Sequence, residues 1–86
     1  MTSTVLVTGA SAGFGATMVR RWAERGARVI AAARRADRVR ALADELGPSV
    51  LPVELDVRDR VAVNQAVEAL PEEFAAVDVL VNNAGL

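Results

Sequence analysis

Short apolar runs alternate with amphipathic stretches along the whole chain. Thr4–Thr8 is β-branched and largely apolar, which predicts a buried strand. Residues 14–25 predict a helix with Met18, Trp22 and Ala23 inward and Arg20, Arg21, Glu24 and Arg25 outward, stopped by Gly26. Arg28–Ala33 predicts a second strand. Residues 37–46 carry the cleanest helical period: Val39, Leu42, Ala43 and Leu46 share one face, Asp37 stands at the start, and Gly47-Pro48 ends it. Residues 50–55 predict a third strand. Asp59 is placed to cap a third helix with Val63, Ala66, Val67 and Leu70 inward, closed by Pro71. Residues 77–81 predict a fourth strand, apolar except for Asp78.

The order βαβαβαβ shows no internal repeat and no low-complexity linker. Strands that read as continuous apolar runs and alternate with helices imply an α/β fold, with a parallel sheet covered on both faces. Right-handed crossovers put the first two helices on one face; the third helix then carries the chain back past the first strand. The expected strand order is 3-2-1-4, the N-terminal half of a Rossmann-type doubly wound parallel sheet. The chain ends just past the fourth strand, leaving an open apolar edge of the kind that proteins usually cover. We therefore expect residues 1–86 to be the N-terminal part of a single nucleotide-binding domain within a longer protein.

Composition narrows the chemistry. The 86 residues are 52% apolar and 24% charged with a net charge of −1, which excludes a disordered tail. There is no cysteine, histidine, tyrosine or lysine; every cation is an arginine. Any mechanism that needs one of those four side chains cannot be run by these residues alone. The charge is uneven: residues 1–43 hold eight arginines against Glu24 and Asp37, and residues 44–86 hold Arg58 and Arg60 against nine acids. The apolar run Val5-Leu6-Val7 is too short for a signal sequence and no stretch approaches a membrane span, so a cytoplasmic protein with no membrane partner is expected.

Thr8-Gly9-Ala10-Ser11-Ala12-Gly13-Phe14-Gly15 lies between the first strand and the first helix. Its spacing is Gly-x-x-x-Gly-x-Gly, in the strand–turn–helix context that a phosphate-binding loop requires. Gly9 suits a tight turn out of the strand, Gly13 a close approach of backbone to a diphosphate, and Gly15 close packing of the helix. The first helical amides and the positive end of the helix dipole then face the phosphates. Ser11 adds a hydroxyl donor. A nucleotide loop built on Gly-Lys-Ser/Thr is excluded, since the chain has no lysine.

In a dinucleotide fold the end of the second strand meets the adenosine ribose, where an acid selects NAD. Here the residues are Ala33-Arg34-Arg35. Ala33 leaves room, and two guanidiniums offer bidentate donors to a 2′-phosphate, so NADP is the expected cofactor. After the third strand, Asp56 can accept from the adenine amino group while Val57 packs on the ring; the competing reading is that Asp56 caps the following turn. At the end of the fourth strand, Asn82 is expected to brace strands, and Asn83, Ala84 and Gly85 to line the cofactor ribose.

Together these motifs resemble the short-chain dehydrogenase/reductase family: residues 8–15, Asp56-Val57 and Asn82-Asn83-Ala84-Gly85 match three family motifs in order. Gly13-Phe14-Gly15, Arg34-Arg35, Leu55-Asp56-Val57-Arg58 and residues 81–86 further resemble the NADP-dependent 3-hydroxy-acid dehydrogenases that oxidise serine or allo-threonine. The resemblance implies an NADP-dependent oxidoreductase that moves hydride between cofactor and a secondary alcohol or carbonyl. It implies cofactor contacts from Gly9, Ala10, Ser11, Ala12, Gly13, Phe14, Arg34, Arg35, Asp56, Val57 and Asn83. The family's catalytic Ser and Tyr-x-x-x-Lys have no counterpart here, so this segment alone is expected to be inactive. It also implies a small-molecule substrate and a homo-oligomer. A non-catalytic NADP-binding sensor is the alternative. Nucleic-acid binding is disfavoured: aromatics are 3% of residues, and Phe14, Trp22 and Phe74 read as core or turn positions rather than stacking platforms.

Overall fold

The computed structural model describes residues 3–11 and 13–83. Its elements are β1 (Thr4–Thr8), α1 (Gly13–Glu24), β2 (Arg28–Ala33), α2 (Ala36–Leu46), β3 (Val50–Glu54), α3 (Arg60–Glu68), a 3₁₀ turn (Glu72–Phe74) and β4 (Val79–Asn82). The strands form one parallel sheet in the order β3-β2-β1-β4, as the alternation of elements implied.

The register explains the core. Val5 lies beside Val29 and Val79, and Val29 beside Val50, so these side chains share one face of the sheet. That face, with Val7, Ala31 and Ala33, packs on Val19 of α1 and on Val39, Leu42 and Ala43 of α2. β1 and β2 are central and therefore apolar on both faces; Ile30 and Ala32 are buried although they point away from this cluster. β3 is an outer strand, which accommodates Pro52 and its missing N–H. α1 and α2 touch each other as well as the sheet, and Arg20 of α1 pairs with Glu45 of α2 through both carboxylate oxygens.

Several boundaries differ from the sequence reading, each for a local reason. α1 starts at Gly13, and its most buried side chain is Val19. Met18, Trp22 and Ala23 flank it, half-buried, because the stripe runs Gly15, Val19, Trp22 at helical spacing. α2 starts at Ala36, with Arg35 as its N-cap; Asp37 falls inside the first turn, where a carboxylate opposes the dipole without capping. β4 starts at Val79 because Asp78 closes the strand instead: its N–H donates to the Thr4 carbonyl at 2.8 Å and its Oδ2 accepts from the Thr4 N–H at 2.9 Å.

α3 departs most from expectation. Asp59 caps it as read, accepting from the Ala62 N–H at 3.1 Å. Yet α3 contributes no buried residue, and Val67, assigned to the inner face, is 48% exposed. Val63, Ala66 and Leu70 of the same expected face are half-buried, and none of them joins the core cluster. Phe74 of the 3₁₀ turn is buried instead, and Arg28 Nη1 holds that turn by donating to the Glu73 carbonyl at 3.0 Å.

Two substitutions test this architecture. Ile30→Ala leaves a cavity beneath a central strand and should cost about 2–5 kcal/mol. Asp59→Ala removes only a helix cap and should cost about 1 kcal/mol. Urea titrations followed by circular dichroism should reproduce that order.

Candidate functional site

Because every strand is parallel, the C-terminal ends of β1, β2, β3 and β4 lie along one edge. The sequence motifs all occupy that edge. Gly9 leaves β1 with φ +63°, a left-handed turn that favours glycine. Ala10 is fully buried, and its N–H donates to the Ala32 carbonyl at 3.1 Å, which ties the loop to the end of β2. Ser11 is half-buried; Ala12 lies outside the described residues. Gly13 opens α1 with φ +58°.

The two later glycines do different work. A Cβ on Gly15 would lie 2.1 Å from the Gly9 carbonyl oxygen and 2.9 Å from Asn83 Nδ2, so only glycine lets α1 come this close to the turn. A Cβ on Gly13 would meet nothing within 4 Å. Gly13 is thus not required by internal packing; its bare face borders open space at the N-terminus of α1. Phe14 follows it on the first turn and is 63% exposed, so of the core and turn readings the turn position is the one observed.

The loop is braced from β4. The Asn83 N–H donates to Thr8 Oγ1 at 3.0 Å, and Asn83 Nδ2 donates to the Gly9 carbonyl at 3.3 Å. Thr8 Oγ1 donates to Asn82 Oδ1 at 3.1 Å. Asn82 therefore braces strands as expected, and Asn83, read as a ribose contact, shares that role. Thr8 was legible only as the end of a strand; its hydroxyl facing the Asn-Asn pair is what links the two loops. Ala84 and Gly85 lie outside the described residues.

At the ends of β2 and β3 the site is electrostatic. Ala33 is buried, whereas Arg34 and Arg35 are exposed, and neither guanidinium has an ion pair among the described residues. Arg35 caps α2 through its backbone only, which leaves its side chain unused. Asp56 is half-buried and held by Arg58: its Oδ1 accepts from the Arg58 N–H at 3.0 Å and from Arg58 Nε at 3.1 Å, and its Oδ2 accepts from Arg58 Nη2 at 3.0 Å. The hydrogen bonds from the Arg58 side chain, then that from its backbone, push the Asp56 carboxyl from 3.8 down to about 2, and the nearby charge of Arg34 adds to the effect. Asp56 does cap its own turn, and it also sits within the field of Arg34. The opposite charges two residues apart after a strand were the sequence signal for the Arg58 clamp. Among the described residues no cluster of acids could hold a metal ion.

Gly15→Ala should destabilise the protein by about 1–3 kcal/mol, since backbone must move, and Gly13→Ala by only about 1–2 kcal/mol of left-handed strain. Asp56 should titrate in the folded protein near 2, read by carboxyl-carbon NMR. Because its folded value is depressed, its stabilising contribution is complete above 3.8 and disappears as pH falls through about 2. Arg58→Met should move the midpoint upward.

Residues 3–86 match the short chain dehydrogenase family. The chain is 55% identical over 82 residues to the NADP-dependent 3-hydroxy acid dehydrogenase of Salmonella typhi, covering 95% of this chain and 33% of that protein. It is 49% identical over 85 residues to a probable NADP-dependent dehydrogenase of Haemophilus influenzae, covering 99% and 34%. Among solved structures, the closed form of serine dehydrogenase complexed with NADP+ superposes with a TM-score of 0.94 at 49% identity, covering 96% of this chain and 34% of that one. The chain thus spans about a third of the length of these relatives. With the family's glycine loop, strand order and Asn-Asn brace all in place, the chain belongs to the short-chain dehydrogenase family.

Proposed function

We propose that this chain holds the adenosine and diphosphate end of NADP(H) in a dehydrogenase that moves hydride between that cofactor and a secondary alcohol or carbonyl, such as a 3-hydroxy acid. The observation that carries the reading is Gly13: a left-handed glycine at a helix N-terminus whose missing Cβ leaves open space that internal packing does not need. Backbone amides of residues 13–15 and the α1 dipole suit a diphosphate there. Exposed Arg34 and Arg35, without ion pairs among the described residues, suit the 2′-phosphate. Asp56 and Val57 suit the adenine, and Ser11 and Asn83 the neighbouring sugar.

NADP, when bound, supplies the hydride acceptor or donor. These residues supply binding, orientation and charge; with no tyrosine, lysine or histidine among them, they do not supply the family's proton-transfer pair. The 3-hydroxy acid as substrate is supported by the names of relatives about half identical in sequence. Assembly into homo-oligomers belongs to the same reading, as the family match suggests.

Calorimetric titration of the full-length protein with NADPH and NADH tests the reading. Arg34→Ala with Arg35→Ala should reduce the preference for NADPH by on the order of 100-fold, the low end for two hydrogen bonds to a charged group, while NADH binding changes little. Equal loss for both dinucleotides contradicts the 2′-phosphate assignment. Gly13→Val should abolish binding of both; retained tight binding contradicts the diphosphate assignment.

A further inference from the structure

Asp56 is more tightly fixed than a surface carboxylate needs to be. Two of its three bonds come from one guanidinium, one to each oxygen, and the third comes from the backbone of the same residue. Solvent-exposed ion pairs add little to stability, and here the side chains are 74% and 38% exposed. The geometry has another consequence. A carboxylate held by one backbone bond can rotate about its last torsion; a fork of two parallel bonds fixes its plane. Oδ1 already accepts two bonds, which fills its ordinary capacity, whereas Oδ2 accepts one. A single acceptor position is left, on Oδ2 of a carboxylate that remains partly exposed at the edge where the strands end.

We propose that Arg58 is a positioning residue for base recognition: by clamping Asp56 it leaves Oδ2 as one fixed acceptor for the exocyclic amine of the cofactor's adenine. This rests on the NADP reading above and adds to it a residue that need not touch the cofactor. An aspartate carboxyl is ionised through the physiological range, clamped or not, so the position accepts and never donates. A base with a carbonyl in place of that amine brings a lone pair against the carboxylate and is rejected.

The test is binding of NADPH and of its hypoxanthine analogue, in which a carbonyl replaces the adenine amine, to the full-length protein, with NADH as a control for the phosphate end. The wild type should bind the adenine form on the order of tenfold more tightly, as for one hydrogen bond to a charged group. Asp56→Asn should bring that ratio close to one. Arg58→Met keeps the backbone bond and loses the fork, so the ratio should fall several-fold while the NADPH-to-NADH preference stays at its wild-type value. Arg58→Lys retains the charge without the planar fork and should give an intermediate ratio. An Arg58→Met protein that discriminates like the wild type overturns the positioning role. An Asp56→Asn protein that still prefers adenine overturns base recognition by Asp56 while leaving the diphosphate and 2′-phosphate assignments intact. A wild type that binds neither dinucleotide overturns the underlying NADP reading.

Discussion

The close approach of α1 to the turn after β1 organises this molecule. The Gly9 carbonyl stands where a Cβ on Gly15 would be, and Asn83 Nδ2 donates to that same oxygen. One peptide group thus receives a helix, a strand end and a loop at once. The Thr8 hydroxyl completes the tie by accepting from the Asn83 N–H and donating to Asn82. A backbone fixed in this way can present the N-terminus of α1 toward solvent without collapsing over it. Gly13, free of packing demands, keeps that end open.

A second constraint is electrostatic and runs along the neighbouring strand ends. Arg34 and Arg35 follow a buried alanine run, so the chain emerges from the core with its charges facing water. Asp56 follows β3 by two residues, and Arg58 occupies it. The clamp orients a carboxylate whose side-chain bonds come from Arg58, and the charge of Arg34 is felt there as well. The arginine pair remains available to an anion from outside. Opposite charges sit at the two strand ends without cancelling each other.

Much of this was legible in the sequence because the central strands leave no choice. β1 and β2 are buried on both faces, so their apolar runs mark their ends to the residue. The strand order followed from alternation with helices, and Gly-x-x-x-Gly-x-Gly located the site. What the sequence did not reveal lies where local signals compete. Asp37 reads as the first residue of the second helix, yet the helix starts at Ala36 with Arg35 as its N-cap. Asp78 looked like an intruder in an apolar strand, yet it closes the strand by bonding Thr4. α3 has an amphipathic pattern, but a pattern says only which face could be buried; Val63, Ala66 and Leu70 are half-buried and Val67 stays exposed. Hydrophobicity alone leaves Phe14 open between core and turn; after the left-handed turn at Gly13 the ring is exposed. The bracing by Thr8 and Asn83 depends on contacts between residues more than seventy positions apart, which no local motif encodes.

The central claim is that one strand edge grips a dinucleotide at two points, the bare Gly13 turn and the arginine pair. A crystal structure of the full-length protein with bound NADP tests it most directly. The account predicts the diphosphate against the amides of residues 13–15 and the 2′-phosphate within hydrogen-bonding distance of Arg34 or Arg35. A nucleotide seated away from the Gly13 turn, or one whose 2′-phosphate faces solvent clear of both guanidiniums, would contradict it.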